Sequence, residues 1–124
     1  MRITTFNPQI ITNDAEPTVG LFKELGFEVH HELKGVGELN DEGIRMKDDN
    51  GFYLDIAKTN IPIPHDLAAI RMNVDDFDEA CSLLETHGFK NFYGDKTVGT
   101  DSSKSALMIS PTGFAINLVE HIKK

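Results

Sequence analysis

Apolar residues recur at two distinct spacings along the chain, and the spacings predict helices and strands in alternation. Helical spacing follows Asn13 or Asp14 and again follows Asp75 or Asp76, residue types that cap helix N-termini. Strand-like runs precede each helix and follow it. The predicted strands are 3–11, about 27–34, 42–47 and 52–58 in the first half, and 67–74 with an equivalent set in the second half.

The two halves of the chain repeat each other without an insertion. GFYLDIA begins at Gly51 and GFAINLV begins at Gly113, 62 positions later. The same offset places Gly26 on Gly88 at the expected helix ends, where glycine is favoured because it adopts positive φ. We therefore predict an α+β fold of two tandem βαβββ units, with a first unit at about 1–59, a linker at about 59–66 and a second unit at about 67–124.

The first and last strands of each unit place large aliphatic side chains on one face, because residues i and i+2 of a strand share a face. Small or polar residues occupy the other face. A carboxylate in an otherwise apolar strand, such as Asp55, is costly unless it meets a partner, a ligand or water. We expect this polar face to bind a ligand. The candidate ligand-binding residues are Asn7, Gln9, His31, Tyr53, Asp55, Arg71, Asn73 and Asn117.

His31 is a weaker candidate than the residues on the first and last strands of each unit. His30 and His31 are adjacent in a predicted strand, so their side chains are expected on opposite faces, with one of them on the polar face. Asp55 and Arg71 are the candidate catalytic pair, with Asp55 as a general base or an orienting carboxylate. The alternative for these two residues is a structural ion pair.

The chain resembles the vicinal oxygen chelate superfamily, which includes glyoxalases, extradiol dioxygenases and bleomycin-resistance proteins. The resemblance rests on the paired βαβββ units and on FKELGFEV, MNVDDFDEA and SPTGFAINLVE. It implies a curved mixed sheet that forms a cup, with the helices outside and the ligand inside. It also implies a homodimer.

In metal-using members of that superfamily, the ligands come from the first and last strands of each unit, usually as His and Glu. The matching positions here are Asn7, Asp55, Ala69 and Asn117. One carboxylate and two amides suit Zn²⁺, Ni²⁺ or Fe²⁺ poorly, and Ala69 has no ligating atom. We therefore expect no metal and no other cofactor.

The net charge of −8 and the pI of about 4.9 disfavour binding to nucleic acid or to an anionic membrane surface. The N-terminal stretch shows no signal-peptide pattern. Cys81 is the single cysteine, which fits a reducing, cytoplasmic location, and its helical context predicts a small core residue. The polar stretch Gly94–Ser105 is expected to be a surface loop.

Three functions remain open from the sequence. The first is metal-free small-molecule binding of the bleomycin-resistance type, with the ligand in the cup. The second is a lyase or isomerase reaction on a small polar metabolite that uses Asp55 and Arg71. The third is a dimeric scaffold whose cup is vestigial.

Overall fold

The computed structural model describes residues 1–36, 41–92, 94, 98–100 and 103–121 of the chain. Within these residues the elements alternate as the sequence predicts, and the fold class is α+β. The elements are β1 (Ile3–Thr12), α1 (Ala15–Glu24), β2 (Glu28–Val36), β3 (Asp41–Lys47), β4 (Tyr53–Lys58), β5 (Leu67–Val74), α2 (Phe77–Thr86), β6 (Lys90–Asn91), β7 (Val98–Thr100), β8 (Ser103–Ile109) and β9 (Ala115–His121).

The chain divides into two compact units, Asn7–Ala68 and Met1–Phe6 with Ala69–Lys124, called here the N-terminal and C-terminal units. In the N-terminal unit the strand order is β2-β3-β4-β1, with β1 parallel to β4 and the other pairs antiparallel. Helix α1 lies on the aliphatic face of this sheet. Its core consists of Ala15, Met46, Leu54 and Ile56, with Ile10, Val19, Phe22, Phe27 and Ile44 packed against them.

The C-terminal unit repeats this architecture. Strand β5 is parallel to β9, β9 is antiparallel to β8, and β8 pairs with both β6 and β7. Helix α2 covers the aliphatic face. The core consists of Met72, Val74, Phe77, Ala80, Ala106, Met108 and Leu118. The predicted division of each sheet into an aliphatic and a polar face is therefore confirmed for the strands that carry these residues.

Equivalent residues in the two units begin the helices. Asp14 caps α1 and Asp76 caps α2, and their carboxylates accept the N–H groups of Glu16 at 3.4 Å and Glu79 at 3.1 Å. The residue before each cap does not cap the helix but binds the backbone of another segment. Asn13 donates to the carbonyls of Thr59 and Ile61, and so fastens the segment that follows β4.

Asp75 stands at the position equivalent to Asn13, and it fastens the N-terminal strand. Its carboxylate accepts the Arg2 N–H at 2.6 Å, and its own N–H donates to the Arg2 carbonyl at 3.1 Å. The Met1 ammonium lies 3.1 Å from Glu79 Oε1. These contacts explain why Met1–Phe6 groups with the second half of the chain.

The expectation of a loop over Gly94–Ser105 is wrong in part. Val98–Thr100 pairs antiparallel with Ser103–Ser105 as a short hairpin, and β8 then continues to Ile109. The small polar residues of this stretch suggested a loop, but pairing with β8 supplies backbone hydrogen bonds that composition does not reveal. Residues 95–97 and 101–102 lie outside the described residues. No helix among the described residues is long and apolar enough to cross a membrane.

Candidate functional site

A row of polar residues crosses the N-terminal sheet on the face opposite α1. Gln9 is the register partner of Asp55, Asp55 is the partner of Arg45, and Arg45 is the partner of His31. Register partners on neighbouring strands share a face and lie about 4.8 Å apart. Three of the predicted ligand-binding residues therefore stand in one line, and Arg45, which was not predicted, completes it.

Arg45 and Asn7 hold the carboxylate of Asp55 from two sides. Arg45 Nε donates to Oδ1 at 3.1 Å, and Arg45 Nη2 donates to Oδ2 at 3.1 Å. Asn7 Nδ2 donates to Oδ2 at 2.6 Å. Arg45 Nη2 also donates to Asn7 Oδ1 at 3.1 Å, which closes a ring of three residues. Because donors and acceptors match around this ring, it fixes the amide orientation of Asn7 as well as the plane of the guanidinium.

Burial distinguishes the members of this ring. The side chain of Asp55 is 5% exposed, whereas that of Arg45 is 26% exposed. Asn7 is also buried. A buried carboxylate requires a partner, and a bidentate guanidinium with an added amide donor supplies it. Asp55 thus anchors Arg45, and Arg45 is the member of the ring that reaches solvent.

Tyr53 supports the guanidinium from its flat side. The Arg45 guanidinium carbon lies 4.7 Å from the centroid of the Tyr53 ring, and Lys47 Nζ lies 5.3 Å from the same centroid. Both distances are within the range of cation–π attraction. Two cations therefore lie beside one aromatic ring, next to the row of polar residues.

The expectation that His30 and His31 point to opposite faces is wrong. The register of β2 against β3 shifts between Val29 and His31, so that His30 is an extra residue in a β-bulge. His31 is the partner of Arg45, and the His30 ring lies 5.8 Å from the Tyr53 ring in an edge arrangement. The bulge interrupts the alternation of side chains, so both histidines belong to the polar face.

Gln9 carries a buried acceptor that the described residues leave unsatisfied. The residue is 3% exposed, and its Oε1 accepts no hydrogen bond from the part of the chain that the structure describes. A buried amide atom without a partner is unfavourable by about 1–3 kcal/mol. Such an atom is a recurrent mark of a position completed by a ligand or by bound water.

The C-terminal unit holds the remaining predicted residues. Arg71 is the register partner of Asn117, and Arg71 Nε donates to Asn73 Oδ1 at 3.1 Å. Ala69 is the partner of Ala115 and presents no ligating side-chain atom. Arg71, Asn73 and Asn117 are thus neighbours within their own sheet. The pairing of Asp55 with Arg71 stays a prediction.

Arg45 is the residue that sequence reasoning missed. The stretch DEGIRMK alternates, with Ile44 and Met46 on the aliphatic face and Arg45 and Lys47 on the other. This alternation is visible in the sequence, but it does not show by itself which strand lies opposite β3. The hairpin between β3 and β4 sets Arg45 directly opposite Asp55, and a comparison of these two strands alone finds the pair.

The N-terminal unit does not fit the metal that the resemblance implies. Its two expected ligands, Asn7 and Asp55, already direct their oxygens at the Arg45 guanidinium. A metal ion at these oxygens would be repelled by that charge. Within the described ranges, no group of three or more His, Cys, Asp or Glu residues is placed to hold a metal ion.

A second feature of the N-terminal unit lies on the opposite face of its sheet. A groove of about 620 Å³ runs between α1 and strands β2, β3 and β4. Lys23 and Lys58 contribute positive charge there, and Lys58 pairs with Glu42 at 3.7 Å. None of the predicted ligand-binding residues lines this groove. Its ionic groups are exposed and partly paired. They therefore indicate a ligand-binding site less strongly than the buried polar row does.

Cys81 has the environment of a structural thiol. It lies on α2 and packs partly buried against the core of its unit. Burial raises the pKa of the thiol, and the charge and weak hydrogen bond of Glu85 at 3.8 Å raise it further. A raised pKa lowers the thiolate fraction, so the surroundings do not favour a nucleophile.

Neither a protein-family model nor a curated protein sequence matches the chain. Solved structures do match. Methylmalonyl-CoA epimerase from Mycobacterium tuberculosis is 16% identical, covers 98% of this chain and 90% of its own, and has a TM-score of 0.62. A variant of the Streptomyces coelicolor methylmalonyl-CoA epimerase, in complex with 2-nitronate-propionyl-CoA, is 19% identical, covers 98% and 100%, and has a TM-score of 0.62.

A third match belongs to a different named group. A glyoxalase/bleomycin resistance protein/dioxygenase superfamily member from Vibrio splendidus 12B01 is 13% identical, covers 96% of this chain and 99% of its own, and has a TM-score of 0.60. At such identities the similarity concerns the fold and leaves the chemistry open. The chain therefore has the fold of the vicinal oxygen chelate superfamily.

Proposed function

We propose that the protein binds a small molecule on the polar face of its N-terminal sheet, without a metal ion. The observation that carries the proposal is the ring formed by Asn7, Arg45 and Asp55, in which a buried carboxylate fixes a partly exposed guanidinium. A cation held in one orientation loses little side-chain entropy when a ligand binds. Tyr53 offers a ring beside it for further contact.

The test is a ligand screen by thermal shift, followed by titration in ¹H–¹⁵N NMR spectra. The matched variants are Arg45→Gln, on the polar face, and Lys58→Gln, on the aliphatic face of the same hairpin. We expect a ligand to raise the melting temperature of the wild type and of Lys58→Gln, and to leave Arg45→Gln unshifted. Spectra without ligand show whether each variant is folded.

Two results would refute binding at this face. One is a screen in which no compound stabilises the wild type. The other is equal stabilisation of Arg45→Gln and Lys58→Gln, because the ligand would then lie elsewhere. A protein that binds nothing and turns over nothing would correspond to the scaffold hypothesis.

An isomerase or lyase acting on a small acid or its thioester is the second candidate. It is favoured by the similarity to structures named methylmalonyl-CoA epimerase, one of them in complex with methylmalonyl-CoA and NH₄⁺. Asp55 and Arg71 are its proposed catalytic residues. Asp55 is less suited to accept a proton while both of its oxygens accept bonds from Arg45, and for this reason binding ranks first.

Proton exchange tests the second candidate directly. Methylmalonyl-CoA incubated with the protein in D₂O exchanges its α-hydrogen if an enzyme removes and returns that proton. Exchange that disappears in Asp55→Asn, while the variant stays folded, would establish the enzyme. If exchange is no faster than in buffer while the protein still binds its ligand, the protein is a binding protein and not an enzyme for this reaction.

We also propose that the protein acts in the cytoplasm as a homodimer. The cytoplasmic location is supported by the single cysteine, and the dimer by the resemblance to the superfamily. Sedimentation velocity at several concentrations tests the dimer. A single monomeric species throughout would exclude it.

A further inference from the structure

We propose that Arg45 is the built-in cation of this site and that the ligand is a small carboxylate with a hydrogen-bond donor a few atoms away. The guanidinium receives the acid group, and Gln9 receives the donor. The inference rests on the proposed function and names the class of ligand. It commits to a carboxylic acid with a hydroxyl or amide N–H, and it excludes a neutral molecule.

The position of Arg45 is the first support. Asn7 and Asp55 are two of the four positions that match the metal ligands of the superfamily. The guanidinium contacts the side-chain oxygens of both residues, at 3.1 Å in all three hydrogen bonds. A permanent positive charge thus binds the oxygens that these two positions would offer to a metal ion, because arginine is a permanent cation.

The free donors of Arg45 are the second support. A guanidinium has about five N–H donors, of which Nε and Nη2 use three here. Nη1 makes no hydrogen bond to a residue that the structure describes, and the side chain is 26% exposed. The donors of Nη1 point away from Asp55, since the carboxylate occupies the Nε and Nη2 edge. They are available to a carboxylate of the ligand.

Gln9 is the third and independent support. Its Oε1 is buried and lacks a donor among the described residues, on the same face as Arg45. Two strand spacings, about 10 Å, separate the backbones of Gln9 and Arg45. The Arg45 side chain spans part of this distance. A short molecule with an acid at one end and a donor at the other therefore matches the two unused groups.

Lys47 is a second cation on the face that carries Arg45. Lys47 lies beside Tyr53, and His30 and His31 belong to the same face. The opposing groups on this face are Asp55, which Arg45 neutralises, and Glu28, the register partner of Lys47. These two cations and two carboxylates balance, so the attraction for an acid comes from the unused Nη1 edge of Arg45, within a chain whose total charge is −8.

Matched probes separate the two contacts. The hydroxy acids are glycolate, lactate and 4-hydroxybutanoate. Each is compared with the acid that lacks the hydroxyl and with the amide that lacks the acid. Dissociation constants come from chemical-shift titrations of the wild type and of Arg45→Gln, Gln9→Met and Lys58→Gln.

We expect at least one hydroxy acid to bind the wild type, and its amide to bind about tenfold more weakly or not at all. Arg45→Gln should weaken the acid about tenfold or more, and Arg45→Lys should restore part of the loss through its charge. Gln9→Met should remove the advantage of the hydroxy acid over the plain acid and leave binding of the plain acid unchanged. Lys58→Gln should behave as the wild type.

Other outcomes separate this inference from the proposed function. If hydroxy amides bind as tightly as hydroxy acids, or if the only ligand found in the screen is neutral, the acid-binding role of Arg45 is wrong while binding at this face stands. If Arg45→Gln binds the acids unchanged, the inference is also wrong. If no compound binds at all, the proposed function itself fails.

A metal titration tests the built-in cation separately. Calorimetry with Mn²⁺ and Co²⁺ should show no binding to the wild-type protein at Asn7 and Asp55. Stoichiometric binding that is lost in Asp55→Ala would mean that a metal ion displaces the guanidinium from the oxygens of Asn7 and Asp55. That result would overturn the inference.

Discussion

Arg45 and Asp55 face each other on β3 and β4. Arg45 Nε and Nη2 each donate a hydrogen bond of 3.1 Å to one carboxylate oxygen of Asp55. The same hairpin carries a second ion pair: Glu42 and Lys58 are register partners, Lys58 Nζ lies 3.7 Å from Glu42 Oε2, and both side chains are about one-third exposed. The two pairs share strands and differ in face, geometry and burial. This difference makes one pair the natural control for the other.

Arg45→Ala should destabilise the protein by about 2–4 kcal/mol, because it leaves the buried Asp55 carboxylate with fewer partners. Lys58→Ala should change the free energy of unfolding by less than about 1 kcal/mol, since exposed pairs contribute little. Urea denaturation at neutral pH measures both. Equal losses in the two variants would contradict the assignment of Asp55 as a buried anchor.

Gln9→Met should leave stability unchanged or raise it by about 1 kcal/mol, because it removes an acceptor that the described residues do not satisfy. Asn7→Leu should destabilise, since Asn7 bonds to Asp55 and Arg45. Both residues lie on β1, and urea denaturation measures the free energy of unfolding of each variant. A loss above about 2 kcal/mol in Gln9→Met would indicate that its amide is fully satisfied in the folded protein.

Gly26→Ala and Gly88→Ala should differ although the residues are equivalent in the repeat. Both glycines have positive φ, +106° and +86°, so alanine at either is strained by about 1–2 kcal/mol. A Cβ at Gly88 would also lie 2.7 Å from Pro111 Cγ, whereas nothing lies within 4 Å at Gly26. We expect the larger loss of melting temperature in Gly88→Ala, and the reverse order would contradict the packing described for Pro111.

Cys81 should react slowly with a disulfide reagent at mildly alkaline pH, because burial and Glu85 raise the pKa of the thiol. A higher pKa means less thiolate at any given pH below it. Glu85→Gln should lower that pKa and speed the reaction, and Asp78→Asn should do so by less, since its effect on the thiol is smaller. A rate equal to that of a small free thiol would contradict the burial of Cys81 and its contact with Glu85.

The local signals in the sequence were sufficient for most of the fold. Helix α2 begins at Phe77 after the cap Asp76, and β5 spans Leu67–Val74 as predicted. These elements follow from capping chemistry, from glycine at positive φ and from the period of apolar residues. The two-residue strand β6 and the hairpin of β7 with β8 were missed, since their pairing depends on neighbours far along the chain.

The sequence by itself determined the repeat, both helices, most of the strands and the face on which Asn7, Gln9 and Asp55 lie, because helix capping and side-chain alternation are local properties. Only the tertiary structure showed that Arg45 binds Asp55 and that both histidines lie on one face. Those outcomes depend on the register between strands and on one bulge in β2. Register sets contacts between residues distant in sequence, and a single extra residue reverses the face of all that follow.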